Sequence, residues 1–319
     1  MTPQPKLKGF MLRLLYAQFA LLSWLGLGGT PEKIVSQPMS VRKNKAPAWM
    51  TLPLPADVGM VLDTFTGRSG PIAVKKYLPS RIDPAMPRLL FLHGGGWIGG
   101  GLDTLDHLCA SVAAQTSCLI VSVEYRLAPE TPFPGALEDC DDALSWALSD
   151  PSLGPLPPAG IAVMGESAGG NLAAALCVLR ARQGNSPIRH QILIYPALDA
   201  TMASESMTAI RLPGLEMPQM LRLMQMYCGT AELTNPLVSP MFAENPAALP
   251  PAFIITADVD PLRDDGARYA RKLAEAGVRV RHENYPGMPH GFFFIPALCS
   301  SAISGIAEIV KELRTLATG

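Results

Sequence analysis

The segment Gly165-Glu166-Ser167-Ala168-Gly169-Gly170 constrains this chain more than any other. It follows the apolar run Ile161-Ala162-Val163-Met164 and precedes a stretch rich in Ala and Leu from Asn171 to Arg182. The short apolar run reads as a buried strand, and the Ala/Leu stretch as a helix. Ser167 then stands on a sharp strand-to-helix turn, with Gly165 and Gly169 two residues away on each side where only small residues fit. Such a turn exposes the hydroxyl at a helix N-terminus, where backbone N–H groups face incoming negative charge.

A second motif, Leu92-His93-Gly94-Gly95-Gly96-Trp97, follows the apolar strand candidate Arg88-Leu89-Leu90-Phe91-Leu92. Consecutive glycines expose backbone N–H groups and let a substrate approach without a Cβ in the way. Two of these groups, with the one that follows the nucleophile, suit a tetrahedral oxyanion. The candidates are Gly94, Gly95 and Ala168. Trp97, beside this loop, is expected to shape the substrate pocket or to pack on the top of the sheet.

A serine nucleophile needs a base, and the base needs an orienting carboxylate. On strand–turn–helix nucleophiles the chain order is Ser, acid, His. Three histidines follow Ser167. His190 starts a strand candidate, and His282 lies among alternating polar residues, so both read as surface or strand-edge positions. His290 lies in Pro286-Gly287-Met288-Pro289-His290-Gly291-Phe292, read as a loop between the last strand and the last helix, where a base belongs. The acid should end the strand Phe253-Ile254-Ile255-Thr256-Ala257. Asp258 and Asp260 both qualify, because residues two apart share one side of a strand. Asp264 and Asp265 read as favouring the N-terminus of the next helix.

Taken together, His93-Gly94-Gly95-Gly96, Tyr125-Arg126-Leu127-Ala128-Pro129-Glu130, the Ser167 segment, Asp260-Pro261-Leu262-Arg263-Asp264 and His290-Gly291-Phe292 make the chain resemble the hormone-sensitive-lipase family of α/β-hydrolases. The resemblance spans roughly residues 70 to 315. It implies that Asp260 rather than Asp258 is the triad acid, that His93 is structural, and that N-terminal helices cover the site. It also implies carboxylic esters of short to medium acyl chain as substrates, with amide deacetylation as the alternative. A third reading is a non-catalytic small-molecule receptor, but such receptors usually lack a triad member. Two departures are small: Asp265 stands where Glu is frequent, and Pro289 directly precedes His290. Glu166, Arg126 and Glu130 read as structural braces.

Apolar strand candidates alternate with helical patterns along the chain, the signature of βαβ units. Strands are expected near 59–64, 72–78, 89–92, 119–124, 160–164, 191–195, 252–257 and 278–285, the first two as a hairpin through Gly67-Arg68-Ser69-Gly70. Helices are expected near 103–115, 136–148, 171–182, 217–228, 262–275 and 303–316. The fold class is therefore α/β, an α/β-hydrolase fold with a mostly parallel eight-stranded sheet and a helical cap. The expected organisation is an N-terminal cap segment over 1–50 and a catalytic domain over 51–319 with a cap insertion near 199–235. The insertion carries Met202, Met207, Met217, Met220, Met224 and Met226, either a deformable acyl pocket or ordinary helix packing. Hydrophobic residues make up 48% of the chain, enough to cover both faces of a parallel sheet.

A net charge of −1 without blocks of like charge offers nucleic acid no electrostatic footprint. The six cysteines are scattered, with no metal-ligand spacing, and read as small core hydrophobes. The triad chemistry calls for no cofactor and no metal. The expected partner is a small-molecule ester. A second copy could dock on the last parallel strand and final helix. The apolar stretch over 14–29 reads as a cap helix, with Leu15, Phe19 and Leu22 on one face, as a secretory signal, or as a membrane anchor. The cap reading goes with a cytoplasmic protein, the others with a secreted or membrane-associated one.

Overall fold

A computed structural model of the protein describes residues 29–43, 47–184 and 186–317, together with Gly9 and Arg13. The N-terminal readings that rest on Leu15, Phe19 and Leu22 lie outside these residues. Among the described residues no helix is long and apolar enough to cross a membrane.

Two short helices, α1 (Pro31–Val35) and α2 (Met39–Arg42), precede the first strand. Eight strands then build one sheet: β1 (Val58–Gly67), β2 (Gly70–Pro79), β3 (Arg88–Leu92), β4 (Ile120–Val123), β5 (Ile161–Glu166), β6 (Ile188–Ile194), β7 (Ala252–Val259) and β8 (Val280–Pro289). Their spatial order is β1-β2-β4-β3-β5-β6-β7-β8. β1 and β2 form the expected hairpin with Gly67 opposite Gly70, and β2 runs antiparallel to both its neighbours. All other pairings are parallel.

Parallel neighbours need crossovers, and helices supply them. They are α3 (Asp106–Thr116), α4 (Gly135–Ser149), α5 (Ala168–Arg182) and, between β7 and β8, α8 (Arg263–Glu275). Helix α9 (Ser300–Leu316) follows β8. The connection from β6 to β7 carries the cap helices α6 (Glu205–Ala209) and α7 (Met217–Cys228).

Strand alternation splits the core in two. Leu90, Leu92, Val121, Val123, Val163 and Leu193 pack under α4 and α5 on one face. Leu89, Phe91, Ile120, Met164, Ile192 and Ile194 pack under α3 and α9 on the other. All residues of β3, β4 and β5 are buried, as a two-sided parallel sheet demands.

Several expectations change. β8 continues through Pro289, where a loop was expected, and Pro289 pairs with Val259 across a register irregularity that begins after Ala257. A proline is tolerated there because β8 is an edge strand. His190 is buried rather than peripheral, with its Nε2 3.2 Å from Glu312 of α9. Met202, Met207, Met220 and Met224 are buried in the main core cluster, which favours their packing role. All six cysteines are buried and free, as small core hydrophobes.

Candidate active site

Ser167 lies between the end of β5 and the first turn of α5 with φ 54° and ψ −119°, a backbone conformation few side-chain-bearing residues adopt. Its amide donates to the Ile194 carbonyl at 2.9 Å, so the strain is held by the neighbouring strand β6. Gly169 shows why the turn tolerates no larger residue. A Cβ there would lie 2.0 Å from the Leu92 carbonyl oxygen and 2.4 Å from that of His93. The start of the glycine loop therefore rests directly on the first turn of the nucleophile helix.

The base and acid arrive from the two strands beyond β6. Ser167 Oγ is 2.9 Å from His290 Nε2, and His290 Nδ1 is 2.8 Å from Asp260 Oδ2. The sensible proton arrangement has the hydroxyl donating to Nε2 and Nδ1–H donating to the carboxylate. Asp260 is fully buried, and its Oδ1 accepts the Leu262 amide at 2.8 Å. Burial opposes a charged ring at His290. The charge and hydrogen bond of Asp260 outweigh it, Glu166 adds to them, and the pKa is raised above the ordinary histidine value. Tyr195 packs its ring 4.6 Å from that of His290. Asp258, the other acid the strand pattern allowed, instead accepts the Gly287 amide of β8 at 3.0 Å.

The glycine loop corrects one assignment. The Gly94 amide, expected to face the oxyanion, donates to Glu166 Oε1 at 2.5 Å and is already occupied. Among the described residues the amides of Gly95 and Gly96 have no acceptor. Ala168, as the first residue of α5, leads with an amide that has no partner within the helix. That leaves the amides of Gly95, Gly96 and Ala168 available to an oxyanion. His93 is structural, as the resemblance implies. It is fully buried and stacked on Tyr125 at 4.2 Å, and the Tyr125 hydroxyl donates to its carbonyl.

Trp97 is 2% exposed and stacked on Tyr227 of α7 at 4.4 Å, so its ring packs the glycine loop against that helix. Buried residues of α7 recur at Met220, Leu223, Met224, Tyr227 and Cys228, one stripe of an amphipathic helix laid over the loop. Leu223 comes closest, with methyl carbons 3.1 and 3.2 Å from where a Cβ on Gly96 would stand.

Sequence reasoning missed Arg42. Its guanidinium, buried at the end of α2, donates to the carbonyls of Ile98 at 2.8 Å and Ala128 at 2.6 Å, and to both oxygens of Glu130. The Gly100 amide in turn donates to the Arg42 carbonyl at 2.9 Å. Glu130 thus braces the N-terminal segment, while Arg126 meets Asp139.

A strained serine whose base and acid come from later strands of the same parallel sheet is the design of a serine hydrolase. The chain belongs to the α/β-hydrolase-fold family, whose model matches residues 89–294. It is 36% identical to an esterase, LipI, of Mycobacterium tuberculosis over 84% of this chain and 85% of that protein. It is 34% identical to an ethyl acetate hydrolase of Pseudomonas putida over 79% of this chain and 81% of that one. The structure matches a hyperthermophilic esterase from the archaeon Pyrobaculum calidifontis with TM-score 0.76 and 32% identity, covering 97% of this chain and 92% of the other.

Proposed function

We propose that the protein is a serine carboxylesterase that hydrolyses esters of short to medium acyl chain by two-step acyl transfer to water. The observation that carries this reading is the unbroken hydrogen-bonded line from Ser167 through His290 to Asp260. His290 takes the serine proton as Oγ attacks the ester carbonyl, and the carbonyl electron pair moves to the oxygen. Gly95, Gly96 and Ala168 hold that oxyanion. Collapse of the intermediate passes the proton from His290 to the leaving alcohol and leaves an acyl group on Ser167. Water then enters by the same route in reverse. Asp260 keeps the imidazole in the working tautomer and supports its charged form.

The limit on chain length rests on the cap. Leu223 of α7 lies against Gly96 of the glycine loop, and Tyr227 of the same helix stacks on Trp97. The name of one relative, an ethyl acetate hydrolase, agrees with small esters. The test is hydrolysis of p-nitrophenyl esters from acetate to palmitate. Rates should peak at short or medium chains. A rate that climbs steadily to palmitate would overturn the size limit, and inactivity on every chain would overturn the esterase reading.

A further inference from the structure

The steps above leave one buried carboxylate at the site without a task. Glu166 ends β5, directly before the nucleophile, and is fully buried. Its Oε1 accepts the Gly94 amide, and its Oε2 is buried without a hydrogen-bond partner. An apolar side chain would fill this place without the cost of burying a half-satisfied charge. The loop lies on the carboxylate with no slack, since a Cβ on Gly94 would stand 2.1 Å from Oε1.

The titratable groups that act on Glu166 or feel its charge are His290, which follows β8, and Tyr125, after β4. Burial outweighs the opposing pull of the His290 charge and the Gly94 amide, and Glu166 is raised to about 7. The influence is mutual, because Glu166 is among the groups that raise His290.

We propose that Glu166 is a positioning residue of the ester hydrolysis. Its carboxylate pins the Gly94 amide and thereby aims the next two amides at the oxyanion, and its charge supports the imidazolium that forms on His290. It takes no part in the proton transfer of the reaction. That proton travels only from Ser167 to His290 and on to the leaving alcohol. The proposal rests on the esterase reading and assigns a role that the triad and its donors do not supply.

Glu166→Gln and Glu166→Ala separate the two actions. Gln keeps an oxygen for the Gly94 amide and removes the charge. Ala removes both. kcat and KM on p-nitrophenyl butyrate would be measured from pH 5 to 9, beside thermal melting. The Gln variant should lose roughly tenfold in kcat with KM little changed, and its acid limb should move to lower pH, because His290 loses a neighbouring negative charge. The Ala variant should lose on the order of 10²–10³ in kcat, the scale of a lost oxyanion donor. A residue that only holds the fold would lower the melting temperature and leave the acid limb in place, and that result overturns the proposal. So would kcat within twofold of wild type in the Gln variant, which decides alone if the Ala variant does not fold. Wild-type protein that turns over no ester overturns the esterase reading and this proposal with it. Active wild type with unaffected variants overturns this proposal alone.

Discussion

The nucleophile platform and the segment over residues 29–43 are attached in different ways. β3, β4 and β5 are buried along their whole length, and Ser167 is fixed between an apolar strand and an apolar helix. Residues 29–43 combine the packing of Ile34 and Val35 on the core with a set of charged contacts: Arg42 on Glu130 and two carbonyls, Lys43 on Glu124, and Glu32 on Arg222 of α7. Hydrophobic burial is dense and non-directional, so it fixes position against the whole sheet. A few charged contacts fix a segment only at the atoms they touch. Most of those atoms lie on the glycine loop or on the loop after β4, so disturbing this segment should register in catalysis as much as in stability.

The largest effect should come from the platform's own chemistry. Ser167→Ala is expected to cost on the order of 10⁶ in kcat with the melting temperature nearly unchanged, because the hydroxyl contributes nothing to the packing. Steady-state kinetics after thorough purification would check it. Gly169→Ala should instead damage the platform itself, since its new methyl meets backbone oxygens that cannot rotate away. A destabilisation of about 3 kcal/mol is expected from overpacking, read by denaturant melts, together with loss of activity.

Acid should disable the site while leaving both regions packed. The base must be neutral, and His290 has its pKa raised, so kcat/KM should fall tenfold per pH unit below a limb that lies above the ordinary histidine value of about 6.5. A profile flat to pH 5 would remove His290 as the base. Arg42→Ala tests the charged attachment. It should lower kcat roughly tenfold by loosening the loop at Ile98 and Gly100. Its stability cost should be about 1–3 kcal/mol, towards the lower end because Glu130 is half exposed to water. A large melting shift without any change in kcat would contradict the comparison. The smallest effect is expected at Arg222→Gln, whose partner Glu32 lies in solvent. Melting temperature and kcat should both stay within error of wild type.

Much of this was readable from residue order. The eight strands announce themselves as apolar runs between helical patterns, and the turn at Ser167 carries its own glycine signature. What stayed hidden depends on distances across the fold. Nothing in a glycine run says which amide is already engaged. The only hint was Glu166, an acid closing a fully buried strand, which has to find donors among its neighbours. The choice between Asp258 and Asp260 could not come from alternation, because the register irregularity after Ala257 breaks the period that alternation assumes. Pro286, Gly287 and Pro289 read as a loop because their propensities forbid a central strand, and edge position is a property of the assembled sheet. Arg42 looked like any surface arginine, since its partners lie more than fifty residues further along the chain.

The base is delivered by β8, which has a single neighbour in the sheet, and it is 123 residues from the serine it serves. During synthesis the strand carrying Ser167 emerges long before the one carrying His290. A nascent chain therefore holds an ordinary alcohol, inert toward every ester around it. Hydrolytic power therefore waits until the strand at the edge of the sheet has carried His290 to the serine.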